Sequence, residues 1–444
     1  MHQDTIFALG SGQARAGIAV IRISGVRAGE ALARLSGAAL PEARRATRVR
    51  LSDPETGEAL DNGLALWFPP PKSFTGEAVA ELHLHGGRAC VEGVLAALAR
   101  LPGLRLADPG EFTRRAFENA KLDLTEVEGL ADLIQAETAA QRRQALRQFE
   151  GALGERTEGW RETLLHALAR MEAAIDFVDE ELPQDVIARA GERVEKISAE
   201  IRAHLDDNRR GERLREGFRI VLLGAPNAGK STLLNAIAQR EAAIVSEEPG
   251  TTRDIVEVGL DLGGFPVVVA DTAGLRESEG AVEQEGVRRA RARARESDLR
   301  MTLFDGKIWP ACDPETRALV DENTLPVITK ADLHAKIEDP RIGDVAAISL
   351  SAKTGEGMDV LLKRLEKEIT ARMEGSETAP LTRLRHRRHL EECVEALERF
   401  PKATGPELAA EDLRLAVRAL GRITGRVDVE EVLDRLFAEF CIGK

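Results

Sequence analysis

The sequence predicts an α/β plus α fold: an N-terminal α/β domain, a helical central domain, and a second α/β domain inserted into the helical one. Three observations predict it. Residues 1 to about 120 mix β-branched and alternating runs with turn residues. Apolar residues then recur at helical spacing in two blocks, first from Leu130 to Leu205 and again from Leu390 to Phe440. Between them, at Gly217, the pattern changes to FRIVLLG, a short continuous apolar run suited to a buried parallel strand, and α/β alternation continues to about residue 374. The expected boundaries are 1–121, 122–216, 217–374 and 375–444, with the second and fourth segments forming one helical domain. No Gly/Ser-rich linker separates them, as four independent domains on a string would require.

Taken in order, Gly17–Ser24 (GIAVIRIS) has strand character, and Gly63–Phe68 is a strand stopped by three prolines. Ala78–His85 alternates, so Ala80, Leu82 and Leu84 share one face while Glu81, His83 and His85 form a polar face open to a ligand. A helix is expected to open at Thr125, with Glu128 completing a capping box ahead of Leu130, Leu133 and Ile134. Trp160, Leu164, Leu165, Leu168, Met171 and Ile175 continue the helical stripe, which Pro183 closes, and Val194, Ile197, Ile201 and Leu205 begin another. Leu390, Cys393 and Leu397 resume it after the inserted domain.

The length, 444 residues, exceeds one ordinary core. No run approaches the ~20 apolar residues of a membrane helix, and the N-terminus lacks the basic, apolar and small-residue order of a signal peptide, so a cytoplasmic protein without a membrane span is expected. Cys90, Cys312, Cys393 and Cys441 are far apart, which argues against a disulfide framework and a structural zinc site. His83 and His85 lack a third ligand at metal spacing. The net charge, 62 − 75 = −13, disfavours coating nucleic acid by bulk charge, so any RNA contact is local. The basic runs Arg288–Arg300 and Arg383–Arg388 (RLRHRR) are expected to be solvated helix faces.

The chemistry is densest in the inserted domain. GAPNAGKS, Gly224–Ser231, is a phosphate loop between a strand and a helical run, TLLNAIAQ. Its glycines let backbone N–H groups curl around phosphates at a helix N-terminus. Lys230 neutralises the β and γ charge, and Ser231 offers a hydroxyl to Mg²⁺. Asn227, Ala228, Gly229 and Thr232 complete the cradle. Asp271 follows the apolar run VVVA and can hold Mg²⁺ through water, while Gly274, after Thr272 and Ala273, can reach the γ-phosphate. In GTTRD, Gly250–Asp254, Thr252 is the second candidate Mg²⁺ ligand. Guanine specificity rests on Thr329, Lys330, Ala331 and Asp332, and on Ser351, Ala352 and Lys353: the Asp332 carboxylate can accept from guanine N1–H and the exocyclic amine. The usual first residue of this motif is asparagine, so Thr329 is a departure expected to cost about 1 kcal/mol in affinity. Leu275 stands where many small GTPases keep the glutamine that positions the attacking water, and an aliphatic side chain cannot do that. A carboxylate elsewhere, with a cation offsetting transition-state charge, could take over that task.

GAPNAGKS, GTTRD, DTAGL and TKAD inside a helical domain, with FTGEAVAELHLHGG, PGEFTRRAF, KLDL and a terminal FCIGK outside it, closely resemble the MnmE (TrmE) family. These are the tRNA-modification GTPases of the wobble-uridine pathway, and the resemblance runs from about residue 4 to Lys444. It implies a Ras-like inserted domain and GTP hydrolysis dependent on K⁺ bound at a dimer of GTPase domains. The potassium-linked asparagine of the family falls on Asn227, and its K⁺ loop on Ser246, Glu247, Glu248, Pro249, Gly250 and Thr251, with Ser246, Glu248 and Thr251 as ion contacts. The catalytic glutamate falls on Glu283.

The resemblance also implies that the N-terminal domain binds tetrahydrofolate and dimerises constitutively, with folate contacts at Arg22, Glu81, Lys121 and Lys444. Those residue types suit the ligand, since a carboxylate can pair with pterin N–H donors and cations can meet an anionic tail. The implied partners are tRNA and a flavin protein of the MnmG (GidA) kind, in a heterotetramer or larger complex. The one-carbon donor would be 5,10-methylene-tetrahydrofolate, for which the 5-formyl form is an analogue. FAD would belong to the partner, because this chain carries no dinucleotide fingerprint. Two other readings of the motifs are an Era-like ribosome-assembly GTPase, which an RNA-binding module after the GTPase domain would favour, and a nucleotide-gated signalling switch, which would not bind folate. The Cys441 tetrapeptide fits prenylation poorly, because Gly443 and Lys444 depart from that pattern.

Overall fold

A computed structural model describes residues 4–12, 14–176, 185–240, 243–244, 256–271, 297–374, 381–427, 430–438, 440 and 442–443. They fall into two compact units, one of Met1–Ala131, Phe149–His166 and Arg414–Lys444, the other of Asp132–Gln148 and Ala167–Leu413.

In the first unit the described strands are β1 (Thr5–Leu9), β2 (Ala16–Ser24), β3 (Thr47–Ser52), β4 (Ala59–Phe68), β5 (Val79–Gly86) and β6 (Leu104–Leu106). They form a sheet of order β3-β4-β5-β2-β1-β6, antiparallel except for the parallel β1–β6 pair. All three expected strands are present, although β4 begins four residues before Gly63. Helices α1 (Ala28–Ser36) and α2 (Arg88–Arg100) cover one face, burying Leu32, Leu35, Val94 and Leu98 against Phe7, Ile21, Ile23, Leu82 and Leu84. Because side chains alternate, the opposite face carries Ala8, Arg22 and Glu81, which the register places side by side. That second face is closed in part by α3 (Glu111–Glu118), whose Phe112 packs on Ile6 and Ala8. Arg115 of α3 is fully buried and ion-paired to Asp4, Glu77 and Glu111 at 3.0, 3.2 and 2.9 Å, so the buried charge is compensated.

Helix α4 spans Leu124–Gln135, and its capping box lies two residues earlier than expected. Asp123 N–H donates to Glu126 Oε2 at 2.6 Å, and Glu126 N–H donates to Asp123 Oδ1 at 2.8 Å. Aspartate is the cap here, its carboxylate accepting from the Glu126 amide, while Thr125 and Glu128 are buried inside the first turns. The C-terminal segment packs Leu436, Phe437 and Phe440 on Leu124, Val127 and Ala131. Beyond it, Ile442 bridges to Pro109, and Gly443 lies so close to β1 that a Cβ would meet the Leu9 carbonyl oxygen at 2.1 Å. With φ at 101°, only glycine suits that position.

The second unit contains α5 (Ala139–Phe149) up to Gln148, α7 (Asp185–Leu205) and α8 (Arg210–Glu216), together with part of α6 (Ala152–Asp176). Its described strands are β7 (Phe218–Gly224), β8 (Ala243–Ile244), β9 (Val256–Leu262), β10 (Phe265–Asp271), β11 (Leu299–Asp305), β12 (Thr324–Thr329) and β15 (Ile348–Ser349), in the order β15-β12-β11-β7-β10-β9-β8. A small separate ladder pairs β13 (Arg341–Ile342) with β14 (Val345–Ala346). As FRIVLLG implied, β7 is buried and parallel to both neighbours, β10 and β11. Helices α9 (Lys230–Arg240) and α11 (Met358–Met373), with the short α10 (Pro314–Arg317) between them in sequence, belong to the same unit. Leu233, Leu234, Ile237, Leu361, Leu365 and Ile369 fill its core with Ile220, Leu222, Val267, Val269, Met301 and Val327.

The helical stripe resumes as α12 (Leu384–Arg399), α13 (Pro406–Thr424) and α14 (Glu430–Ala438). The RLRHRR run that opens it is not a solvated face. Arg387 is buried, pairing with Asp207 at 2.6 Å and Glu212 at 3.0 Å and donating to the Leu205 carbonyl at 2.8 Å. Arg383 pairs with Asp132 at 2.8 Å, and His386 is buried. The acidic partners lie far away in sequence, so the run alone could not reveal them. Of the other basic run, 288–296 lies outside the described residues, as does Pro183.

Candidate functional site

The carboxyl ends of the parallel strands β7, β10, β11 and β12 deliver Gly224, Asp271, Asp305 and Thr329 to one edge of the sheet. The chain runs from β7 to β10 on one side and then to β11 on the other, so the phosphate loop occupies the switch point where open α/β sheets bind ligands. A Cβ on Gly224 would stand 2.6 Å from the Leu303 carbonyl oxygen, so close strand packing requires glycine there. Asn227 and Gly229 take positive φ of 63° and 94°, which curls the loop into the N-terminus of α9.

Lys230 is buried and donates to the carbonyls of Gly224 at 2.7 Å and Ala225 at 3.0 Å. Burial pushes its ammonium pKa down, and Asp271 pulls it part of the way back. A phosphate group placed in the loop would supply the stronger counter-charge this ammonium needs. The Ser231 hydroxyl donates to Asp271 Oδ2 at 2.6 Å, so the two groups expected around Mg²⁺ meet, and a hydroxyl with a carboxylate is an oxygen donor set that suits this ion. Thr232, next on α9, is exposed, while Ala228 is buried beneath the loop.

The residues expected to recognise the base are tied to the phosphate loop through Thr329. Its buried hydroxyl meets the Ala228 carbonyl at 2.8 Å and the Phe304 carbonyl at 3.1 Å. Threonine in the asparagine position therefore still links the two loops. Thr329→Val, which keeps the shape and removes that link, is expected to weaken GTP binding by about five- to tenfold, the equivalent of about 1 kcal/mol; equilibrium titration of a fluorescent GTP analogue checks this. Lys330, at φ 61°, stretches its ammonium to the Asn227 carbonyl at 2.8 Å and to Asp305 Oδ2 at 2.5 Å. Asp332 is exposed and accepts from the Ser351 hydroxyl at 2.6 Å, a bond that, with the charge of Lys353, holds its carboxyl below the usual range. It is ionised and fixed, as a double acceptor for guanine must be. Ala352 is half-buried against the core, and Lys353 is exposed.

Ser246, Glu247, Glu248, Pro249, Gly250, Thr251, Thr252, Thr272, Ala273, Gly274, Leu275 and Glu283 lie outside the described residues. Asp305 was missed from sequence. Its signal was available, because LRMTLFD ends an apolar run on aspartate as VVVAD does.

On the open face of the first unit's sheet, Arg22 Nε donates to Glu81 Oε1 at 2.9 Å, and both side chains are about one-fifth exposed, at 24% and 18%. The guanidinium lies over the rings of Phe74 and Phe112, 5.4 and 5.8 Å from their centroids. His83 Nε2 is enclosed without a hydrogen bond, 3.6 Å from Glu81 Oε2. A planar heterocycle with N–H donors and acceptors fits this arrangement of rings, carboxylate and orphaned imidazole nitrogen. His85 instead pairs with Asp61 at 2.8 Å. Lys121 donates to the Pro71 carbonyl at 3.2 Å and lines a cavity of about 410 Å³ that Phe74 also walls. Phe74 and Phe112 were missed from sequence, because aromatic residues in FTGE and EFTRR carry no periodic signal. Lys444 and Cys441 lie outside the described residues. Cys90 and Cys312 are half-buried, and burial pushes the Cys393 thiol up to about 12. Among the described residues, no helix is long and apolar enough to cross a membrane.

Residues 5–121 match the family described as the GTP-binding protein TrmE N-terminus, and residues 124–441 match the MnmE helical domain. The tRNA modification GTPase MnmE of Paramagnetospirillum magneticum is 56% identical over 441 residues, covering 99% of this chain and all of that protein. The MnmE of Rhodospirillum rubrum is 54% identical over 460 residues, with both chains fully covered. A human mitochondrial 5-taurinomethyluridine-tRNA synthase subunit is 50% identical over 459 residues, 99% of this chain and 93% of that protein.

Proposed function

The chain belongs to the MnmE family of tRNA modification GTPases, and from that membership we propose that it is a K⁺-dependent GTPase modifying C5 of the tRNA wobble uridine. It is a GTP hydrolase acting in tRNA modification. In the proposal it works as a homodimer in the cytoplasm with an FAD-carrying partner of the MnmG kind and adds an aminomethyl-type group. Its domains are divided near residues 121, 216 and 374.

The GTP and Mg²⁺ roles follow from residue chemistry; the water-orienting, K⁺ and folate roles carry over from the family's pattern. Lys230 and the amides of Asn227 to Thr232 hold the phosphates, Ser231 and Thr252 hold Mg²⁺ with Asp271 behind them, and Asp332 selects guanine. Glu283 orients the attacking water, and Asn227, Ser246, Glu248 and Thr251 hold K⁺. Arg22, Glu81, Lys121 and Lys444 hold tetrahydrofolate, which when bound supplies the one-carbon unit. The observation that carries the reading is the meeting of Lys230, the Ser231–Asp271 pair and Asp332 at one sheet edge, in a chain whose N-terminal sheet presents Arg22 and Glu81. It is the Arg22–Glu81 face that favours a modification enzyme over a plain nucleotide switch.

Hydrolysis measured by phosphate release in equal concentrations of KCl and NaCl tests the ion. K⁺ is expected to raise the rate at least ~10-fold, as a cation placed against developing phosphoryl charge would. Equal rates in the two salts would remove K⁺ from the mechanism.

A further inference from the structure

The cavity beside the Arg22–Glu81 face is lined by Arg44, Phe68, Lys72, Ser73, Phe74 and Lys121. Three of these six side chains are cations and none is a carboxylate. Among the described residues, no ion pair joins Arg44, Lys72 or Lys121 to an acid. In a chain of net charge −13, three cations with no carboxylate among the lining side chains make this concavity locally positive.

Two of them, Arg44 and Lys121, are also held in place. Arg44, at φ 62°, donates its amide hydrogen to the Trp67 carbonyl at 2.8 Å, lies 5.7 Å from the Phe68 ring centroid and donates to the Lys72 carbonyl. The stem of Lys121 crosses Gly76 so closely that a Cβ there would stand 3.3 Å from its Cγ. Phe74 is the wall between this cavity and Arg22.

We infer that this cavity is an anion subsite for the additional γ-linked carboxylates of a polyglutamylated folate, continuing the Arg22–Glu81 site past Phe74. The inference rests on the folate reading of that face. A concave site of about 410 Å³ with two phenyl walls suits a flexible polycarboxylate, whereas an RNA backbone is met by an extended basic stripe. Each cation is exposed, so each ion pair contributes little alone, and the effect comes from engaging several at once.

Isothermal titration of the full chain with tetrahydrofolate bearing one or three glutamates tests the inference. The triglutamate is expected to bind about tenfold tighter, as the two added carboxylates in exposed ion pairs would provide. Lys72→Gln, with its melting temperature checked against the parent, is expected to shrink that ratio, and Arg44→Gln with Lys72→Gln to abolish it. Equal affinities for the two ligands would overturn the subsite while leaving folate binding standing. No binding of either would overturn both readings. If Lys72→Gln weakened tRNA binding and left the glutamate ratio unchanged, the cavity would serve RNA and the inference would fail.

Discussion

Glu283→Ala is expected to leave GTP affinity within about twofold of the parent and to slow hydrolysis by roughly 10²–10⁴-fold, the range for removing a group that positions or deprotonates the nucleophile. The expectation begins with Leu275, whose aliphatic side chain can neither accept from nor donate to a water. Everything else in the nucleotide site is equipped to bind: Lys230 in its loop, Ser231 against Asp271, Asp332 fixed by Ser351. None of these groups is a free base. The loss should therefore appear in kcat and spare the dissociation constant, which fluorescent-nucleotide titration and single-turnover hydrolysis separate. A rate near the parent's in K⁺ would remove Glu283 from the chemistry.

Asp332→Asn is expected to lower GTP affinity by about 100-fold, because two hydrogen bonds from guanine to a carboxylate are replaced by one acceptor and one misplaced donor. Local structure should survive, since the amide oxygen of asparagine can still accept from the Ser351 hydroxyl that Asp332 accepts at 2.6 Å. The same exchange offers an N–H toward a base that presents a carbonyl in place of the exocyclic amine. Xanthosine triphosphate is therefore expected to bind the variant better than GTP does, measured by competition against a labelled nucleotide. Unchanged GTP affinity would place base recognition elsewhere.

The fold was readable where a single element carries its own signal. FRIVLLG declared a buried parallel strand, and the alternation of Ala78–His85 separated a core face from the face that holds Glu81. What escaped depended on partners distant in sequence. RLRHRR reads as a solvated face until Asp207, Glu212 and Asp132 are brought beside it. The capping box was misplaced because Thr-x-x-Glu and Asp-x-x-Glu overlap in the same stretch, and only packing decides which pair caps the helix. At the candidate sites, motif spacing identified Lys230, Ser231, Asp271 and Asp332. Phe74 and Phe112 act by position alone, as rings against a guanidinium, and no spacing announces that, whereas Asp305 ends an apolar run as Asp271 does.

The account as a whole joins a GTP site to the modification of a tRNA uridine. Mass-spectrometric nucleoside analysis of tRNA tests that join most directly, using cells lacking the protein and complemented either by this chain or by its Lys230→Ala form. Loss of the protein should remove the C5-modified wobble uridine, the intact chain should restore it, and Lys230→Ala should not. An unaltered nucleoside profile in the deficient cells, or full restoration by Lys230→Ala, would contradict the account.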